Sequence, residues 1–276
     1  MPRLRWALLA FLLLGGLGLK IQADLAPERN DVALALDDPA LAGLRIAVLS
    51  DLHLPEDPEA LARMAQLLEA VNAAKPDLIA LLGDYIAHPD DLQDRSAHRN
   101  AVAGVLASLR AAPVVAVLGN YESWDDRQAW ANALRLRGIT VLENDVARLE
   151  AAGRSLCVRG LGDAFTGYHR ETLFPQGCEG RGQLTLTHDP FAAFALNLEG
   201  LVLAGHTHCG QLRIPGLGPI WAPSDAPREA ICGEYKEAGL TLWVTSGLGE
   251  SILPVRLLAP SSWDLLTIFQ SGLNPT

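Results

Sequence analysis

Apolar positions along this chain come in blocks whose period changes. Residues 44–49 form a short, branched, apolar run that stops at Ser50-Asp51, which predicts a first buried strand. Asp57 and Pro58 then supply an N-cap and a first-turn proline, and Leu61, Met64, Leu68 and Val71 recur at helical spacing up to Pro76. The phrase repeats twice. Residues 78–82 end in Gly83-Asp84 and lead to a helix marked by Val102, Val105, Leu106 and Leu109. Residues 114–118 end in Gly119-Asn120 and lead to a helix over 126–137, stopped by Gly138. Such alternation predicts parallel strands joined by right-handed helical crossovers.

Beyond residue 139 the blocks shorten. Strands are predicted at 139–142, 155–160, 183–187, 201–204, 240–245 and 265–269, and only 191–198 reads as helix. This texture predicts a second, mixed sheet packed on the first, giving an α/β fold of two sheets flanked by helices. Before the first strand, Arg3 and Arg5 precede an unbroken apolar run over 6–19, closed by Lys20. As a helix, fourteen residues reach roughly 21 Å against about 30 Å for a bilayer core, which favours a cleaved signal. Lys20 and the bulky Ile21-Gln22-Ala23 favour an uncleaved anchor. Residues 1–23 are therefore read as a signal peptide or N-terminal membrane anchor, 24–43 as a polar tether, 44–270 as one folded domain and 271–276 as a tail. Either reading of the N-terminus keeps Arg3 and Arg5 cytoplasmic and places the catalytic domain at the cytoplasmic membrane facing the periplasm or exterior, or exports it.

Composition narrows the function. A hydrophobic content of 49% in 276 residues suffices for one substantial core, and no linker or repeat divides it. The net charge of -10 argues against a nucleic-acid scanner, which needs a basic face to displace counterions. Cys157, Cys178, Cys209 and Cys232 suit an oxidising compartment. Chain order pairs Cys157 with Cys178 and Cys209 with Cys232, with two other connectivities and buried free thiols left open.

The chemistry gathers at strand ends, where α/β sheets open onto a crevice. The first strand ends in Asp51-Leu52-His53, the second in Asp84, the third in Asn120, and later ones in His188 and Gly205-His206-Thr207-His208. Singly, each is an ordinary turn residue or a hydrogen-bonded histidine. Together at one rim they are costly unless cations neutralise them. Seven ligands exceed one tetrahedral zinc and suit two adjacent divalent metals sharing a carboxylate. Imidazole with carboxylate oxygen favours Mn, Fe or Zn over Mg or Ca.

This series, with Asp51-x-His53, Gly83-Asp84, Gly119-Asn120, His188 and Gly205-His206-x-His208 in order, resembles the calcineurin-like metallophosphoesterases over about residues 44–270. Gly205 through Gln211, Ser246-Gly247-Leu248-Gly249 and Leu253-Pro254-Val255-Arg256 are similar to their membrane-associated or exported bacterial phosphodiesterase branch. The resemblance implies a four-layer α/β/β/α sandwich with two mixed β-sheets. It implies one metal held by Asp51, His53 and His208, a second by Asn120, His188 and His206, and Asp84 bridging. It implies attack of a metal-bridging hydroxide on phosphorus, a phosphodiester or lipid-linked phosphate as substrate, and membrane association. Asp84, Asn120, His206 and Tyr121 are the catalytic candidates. The alternatives are a UDP-diacylglucosamine pyrophosphatase-like hydrolase of lipid A synthesis and a catalytically silent metal-binding protein.

Two positions depart from the family pattern. Tyr121 stands where many members carry a His that protonates the leaving group, and Ala87 where they carry its supporting Asp. Either Tyr121 or His88 substitutes as the acid, or the leaving group departs unprotonated. Arg213 and Arg256 read as solvated surface arginines, with a phosphate clamp as the alternative. Trp124, Arg127, Trp130, Arg135 and Arg137 read as a helix with a core face rather than a membrane surface, and His98 and His169 as surface residues.

Overall fold

The structure is a computed structural model describing residues 21–22, 27–237, 239–251 and 255–272. Apart from residues 21–22, the expected signal or anchor lies outside the described residues. Among the described residues, no helix is long and apolar enough to cross a membrane.

Two six-stranded sheets carry the fold. The first contains β1 (Glu28–Leu36), β2 (Arg45–Leu49), β3 (Leu78–Leu81), β4 (Val114–Ala116) and β5 (Thr140–Val141). The second contains β6 (Asp145–Ala151), β7 (Arg154–Gly160), β8 (Gly182–Leu186), β9 (Gly200–Ala204), β10 (Gly233–Glu237) and β11 (Leu240–Val244). The long strand β12 (Ser262–Gln270) returns to the first sheet. The spatial orders are β1-β12-β2-β3-β4-β5 and β10-β11-β9-β8-β7-β6. Both sheets are mixed. β2 through β5 run parallel, as do β7, β8, β9 and β11, while β12 on β2, β6 on β7 and β10 on β11 are antiparallel.

Successive side chains of a strand face opposite sides, and here each side has its own core. Ala47, Leu49, Ile79, Leu81 and Ala116 face the helices α1 (Pro58–Ala73), α2 (Arg95–Leu106) and α4 (Arg127–Arg135), meeting Met64, Leu68, Val102, Leu106, Trp130 and Leu134. Their neighbours Ile46, Val48, Leu78 and Ala80 face the second sheet, meeting Leu156, Val158, Leu184, Leu186 and Leu203. On the far side of that sheet, Val202, Leu242 and Val244 pack on Ala193 of the short helix α5 (Phe191–Ala195). The result is the four-layer α/β/β/α sandwich. Asp57 caps α1 as expected, accepting from the amides of Glu59 and Ala60.

The sequence pattern missed parts of this fold. Residues 28–36, read within a tether, form β1, which pairs in parallel with β12 from Glu28↔Ser262 to Leu36↔Gln270. Only its second half alternates into the core, with Leu34 and Leu36 buried; the first half is exposed, so the apolar signal is half-length. The helix after Gly119 begins earlier than predicted, as a separate turn α3 (Asn120–Asp125). His98 is buried, not on the surface, and its Nε2 lies 2.9 Å from the Leu54 carbonyl oxygen, while His169 is half-buried. Trp130 is fully buried, its indole N–H donating to Asp125 Oδ2 at 2.9 Å, which makes α4 a core helix. Both chain-order disulfides, Cys157–Cys178 and Cys209–Cys232, are present.

Candidate metal centre

All seven predicted ligands converge at the carboxyl ends of β2, β3, β4, β8 and β9, and all are buried. They sort into two groups: Asp51, His53 and His208, and Asp84, His188 and His206. Asn120 joins the second, with Oδ1 3.1 Å from His188 Nε2. Asp84 lies between the two, with Oδ2 3.4 Å from His188 Nε2 and 3.7 Å from His53 Nε2.

Local backbone explains the motif residues. Asp51, His53, Asp84, His206 and His208 all have φ between 44° and 65°, in the left-handed region. Holding a non-glycine residue there costs on the order of 1–3 kcal/mol. The motif glycines permit the close approach. A Cβ on Gly119 would lie 2.7 Å from the Asp84 amide nitrogen, and one on Gly205 would lie 2.7 Å from Asp51 Oδ2.

Hydrogen bonds fix which nitrogens face inward. In the Asp84 group, His188 Nδ1 lies 2.7 Å from the Leu82 carbonyl oxygen, and His206 Nε2 is bonded to the Pro223 carbonyl. A carbonyl only accepts, so both outer nitrogens carry protons and both inner ones present lone pairs. Those lone pairs, His188 Nε2 and His206 Nδ1, face each other at 3.1 Å, beside Asn120 Oδ1 and Asp84 Oδ2. Nothing in the neutral pair can donate, so the arrangement calls for a cation. Without a metal, a proton serves: burial alone would lower His188, but the charge and hydrogen bond of Asp84 outweigh it and hold the imidazole well above its ordinary value. Burial likewise works against Asp84 ionisation, yet His188, His53 and His206 keep that carboxyl below the usual carboxylate range.

The Asp51 group differs. Arg256 Nη2 lies 3.1 Å from His208 Nδ1, and a guanidinium only donates, so a neutral His208 carries its proton on Nε2. That proton points at His53 Nε2, 3.1 Å away, and Asp51 Oδ1, 3.5 Å away. Burial, with His53 and Arg256 beside it, pushes His208 down to about 3 against the pull of Asp51. Burial also lowers His53. Asp51 Oδ1 and His53 Nδ1 are buried with no hydrogen-bond partner among the described residues. Orphaned donor atoms of this chemistry fit a divalent cation.

Two buried charged residues brace the centre, and sequence reasoning missed both roles. Arg256 is not a surface arginine: it is 1% exposed, and its guanidinium donates to the carbonyls of Ser246, Gly247, Gly249 and Ala259. Those bonds consume the fork a phosphate clamp would need. Arg213 is half-buried and donates to the Cys209 carbonyl at 3.1 Å. Glu122 accepts from the amides of Asp84, Tyr85 and Gly119 at 2.8, 2.8 and 2.9 Å, tying the second and third motifs together. Burial and neighbouring Asp84 push its carboxyl up to about 7, while the donated bonds pull it down.

Tyr121 packs edge-on against His53 with centroids 4.7 Å apart, its amide donating to Asp84 Oδ1 at 2.9 Å and its hydroxyl 3.4 Å from Ser251 Oγ. His88 lies next to it, centroids 5.4 Å apart. Trp124 and Phe165, each nearly half exposed, continue this aromatic wall, and the Phe165 ring lies tilted against His206 with centroids 4.7 Å apart.

Fold and site together define a class: an α/β/β/α sandwich with two histidine–carboxylate groups at its strand ends, able to hold divalent cations. Residues 44–210 match the family described as calcineurin-like phosphoesterase. The chain is 30% identical over 235 residues to the Bacillus subtilis protein named "Uncharacterized metallophosphoesterase YkuE", covering 82% of this chain and 79% of that one. It is 31% identical over 222 residues to the Escherichia coli protein named "Phosphodiesterase YaeI", covering 78% of each. Among solved structures, a 5'-nucleotidase precursor from Thermus thermophilus superposes with a TM-score of 0.50 at 16% identity, covering 81% of this chain but only 54% of that one, a likeness of fold alone. The chain belongs to the calcineurin-like phosphoesterase family, a class of phosphoester hydrolases that use divalent metals.

Proposed function

We propose that this protein is a phosphodiesterase working through two divalent cations, one at each ligand group. The observation that carries this reading is the opposed pair of lone pairs on His188 and His206, flanked by Asp84 and Asn120, directly beside the Asp51 group. Asp51, His53 and His208 would hold one cation, and Asn120, His188 and His206 the other, with Asp84 placed between the two groups. When bound, two such cations supply Lewis acidity and an acidified water at neutral pH. The chain's own contribution is position: the carbonyls of Leu82 and Pro223 aim the imidazoles, and Glu122 holds the Asp84 and Asn120 loops in register. A diester substrate is supported by the name of the Escherichia coli relative, and Tyr121, standing where a stronger acid would serve poor leaving groups, suits a leaving group that departs with little protonation.

Tyr121 is our candidate for the proton donor, with His88 beside it as the alternative. Burial raises its phenol above the ordinary value, so it stays protonated at neutral pH. We infer a location outside the cytoplasm, which two disulfides support because such bridges form and persist mainly in oxidising compartments.

The test is Mn-supplemented hydrolysis of an aryl phosphodiester by wild type and Asp84→Asn, with metal analysis of both. A loss of roughly 10³-fold or more in kcat/KM supports the reading. Bound metal with no Asp84-dependent hydrolysis leaves a metal-binding protein without turnover. For Tyr121, Tyr121→Phe is expected to slow alkyl diesters about tenfold more than aryl ones. Equal losses on both remove it as the acid.

A further inference from the structure

A groove of about 130 Å³ opens beside the Asp51 group. His208 and Ser251 line it together with Leu212, Ile220, Trp221 and Pro223, so the groove is continuous with the ligand cluster at one wall and apolar along the rest. Pro223 also carries the carbonyl that orients His206, and Ser251 faces Tyr121, so the groove touches both halves of the centre.

Its outer wall is a small hairpin in which Arg213–Ile214 pairs with Gly218–Pro219. Four large apolar side chains stand exposed on this hairpin: Ile214 at 42%, Leu217 at 69%, Ile220 at 61% and Trp221 at 59%. Exposed apolar side chains gathered on one short hairpin beside a site mark a surface that something covers. Charge says what kind of partner. In a chain with 32 acidic residues, the span 200–224 contains none, and Arg213 is its one Lys or Arg. The segment thus brings no carboxylate of its own to repel an anion, and the guanidinium that lies against it, Arg228, is held by the carbonyls of Leu217 and Pro219. The hairpin also lies beyond residues 44–210, so family membership does not account for it.

We infer that this groove is a subsite for the hydrocarbon tail of an amphiphilic phosphodiester, a lipid-type substrate whose phosphate sits at the ligand groups while its tail lies along Leu212, Ile220 and Trp221. The inference rests on the phosphodiesterase reading above. A tail here is attached to the reacting phosphorus, which is why the groove begins at His208 rather than at a remote face.

The experiment compares methyl and octyl p-nitrophenyl phosphate, both kept below micellar concentration, with Mn-loaded full-length protein. Each methylene buried is worth about fourfold in kcat/KM, so the octyl ester is expected to exceed the methyl ester by at least roughly tenfold. The double variant Ile220→Ala, Trp221→Ala is expected to bring that ratio within about threefold of one. Leu136→Ser, an equally apolar and exposed position beside α4, keeps the wild-type ratio. Hydrolysis with no chain-length preference, or a preference the double variant retains, overturns the tail subsite alone. Binding to phosphatidylglycerol vesicles that the double variant loses, without chain-length preference in solution, makes the hairpin a membrane-docking element and also overturns it. Failure of wild type to hydrolyse either ester overturns the phosphodiesterase reading and the substrate assignment with it.

Discussion

The two ligand groups are built from the same residue types but stand in different states of readiness. Around Asp84, carbonyls of Leu82 and Pro223 take the outer protons of both histidines, leaving inward lone pairs that only a cation or a proton can reconcile. Around Asp51, Arg256 takes the lone pair of His208, and the His208 proton closes the gap to His53, so the two imidazoles meet with nothing bound while Asp51 Oδ1 and His53 Nδ1 keep no partner among the described residues. Cation binding there costs a tautomer change and proceeds beside a guanidinium. We expect the outer partner of each imidazole, and not ligand identity alone, to set the affinity of each group.

The largest effect that tests this contrast is on metal retention. Under chelator titration at neutral pH, the ion at the Asp51 group is expected to leave first. His188→Ala is expected to cost about 10³-fold in kcat/KM and His53→Ala only about 10- to 100-fold when metal is in excess. Metal content after dialysis, read beside kinetics, decides; equal retention at both groups breaks the comparison. The next effect concerns Arg256. If its main work is to bind the carbonyls of Ser246, Gly247, Gly249 and Ala259, Arg256→Met strands them in the interior. A loss of roughly 3–5 kcal/mol in denaturant unfolding is expected, and a loss below about 1 kcal/mol would assign Arg256 to the metal group instead.

The smallest effect is a control for pH. Asp264, outside both groups, is buried and receives the Trp243 indole N–H and the Asn30 amide, each at 2.9 Å. Burial still raises its carboxyl above the ordinary 3.8, against those bonds. Folding thus favours the protonated form. Its contribution is complete below the unfolded value and is lost as pH rises through the folded one. Wild type should lose Tm relative to Asp264→Asn as pH increases from about 4 towards 7. Parallel Tm profiles would show that the slope comes from the ligand groups.

Much of the centre was legible because its residues follow buried parallel strands, whose continuous apolar runs end abruptly at the chemistry. The strands that escaped share a position. β1, β6 and β10 are the outermost strands of their sheets, and their sequences, such as Gly233-Glu-Tyr-Lys-Glu237, carry the charges that keep an edge from pairing with a second molecule. Hydrophobic pattern reports burial, and an edge is half solvated. Glu122 and Arg256 escaped for a related reason: their partners are backbone amides and carbonyls, which no residue pattern records. An arginine read without its carbonyls defaults to the surface.

The placement of β12 has a consequence for how the chain is made. It lies between β1 and β2, paired with Glu28–Leu36 on one side and with Arg45–Leu49 on the other. A polypeptide emerging amino end first has its earliest strands in hand long before the one that joins them. The first sheet can close only when residues 262–270 are out, so its closure is a long-range event that waits on a strand far along the chain from both of its partners.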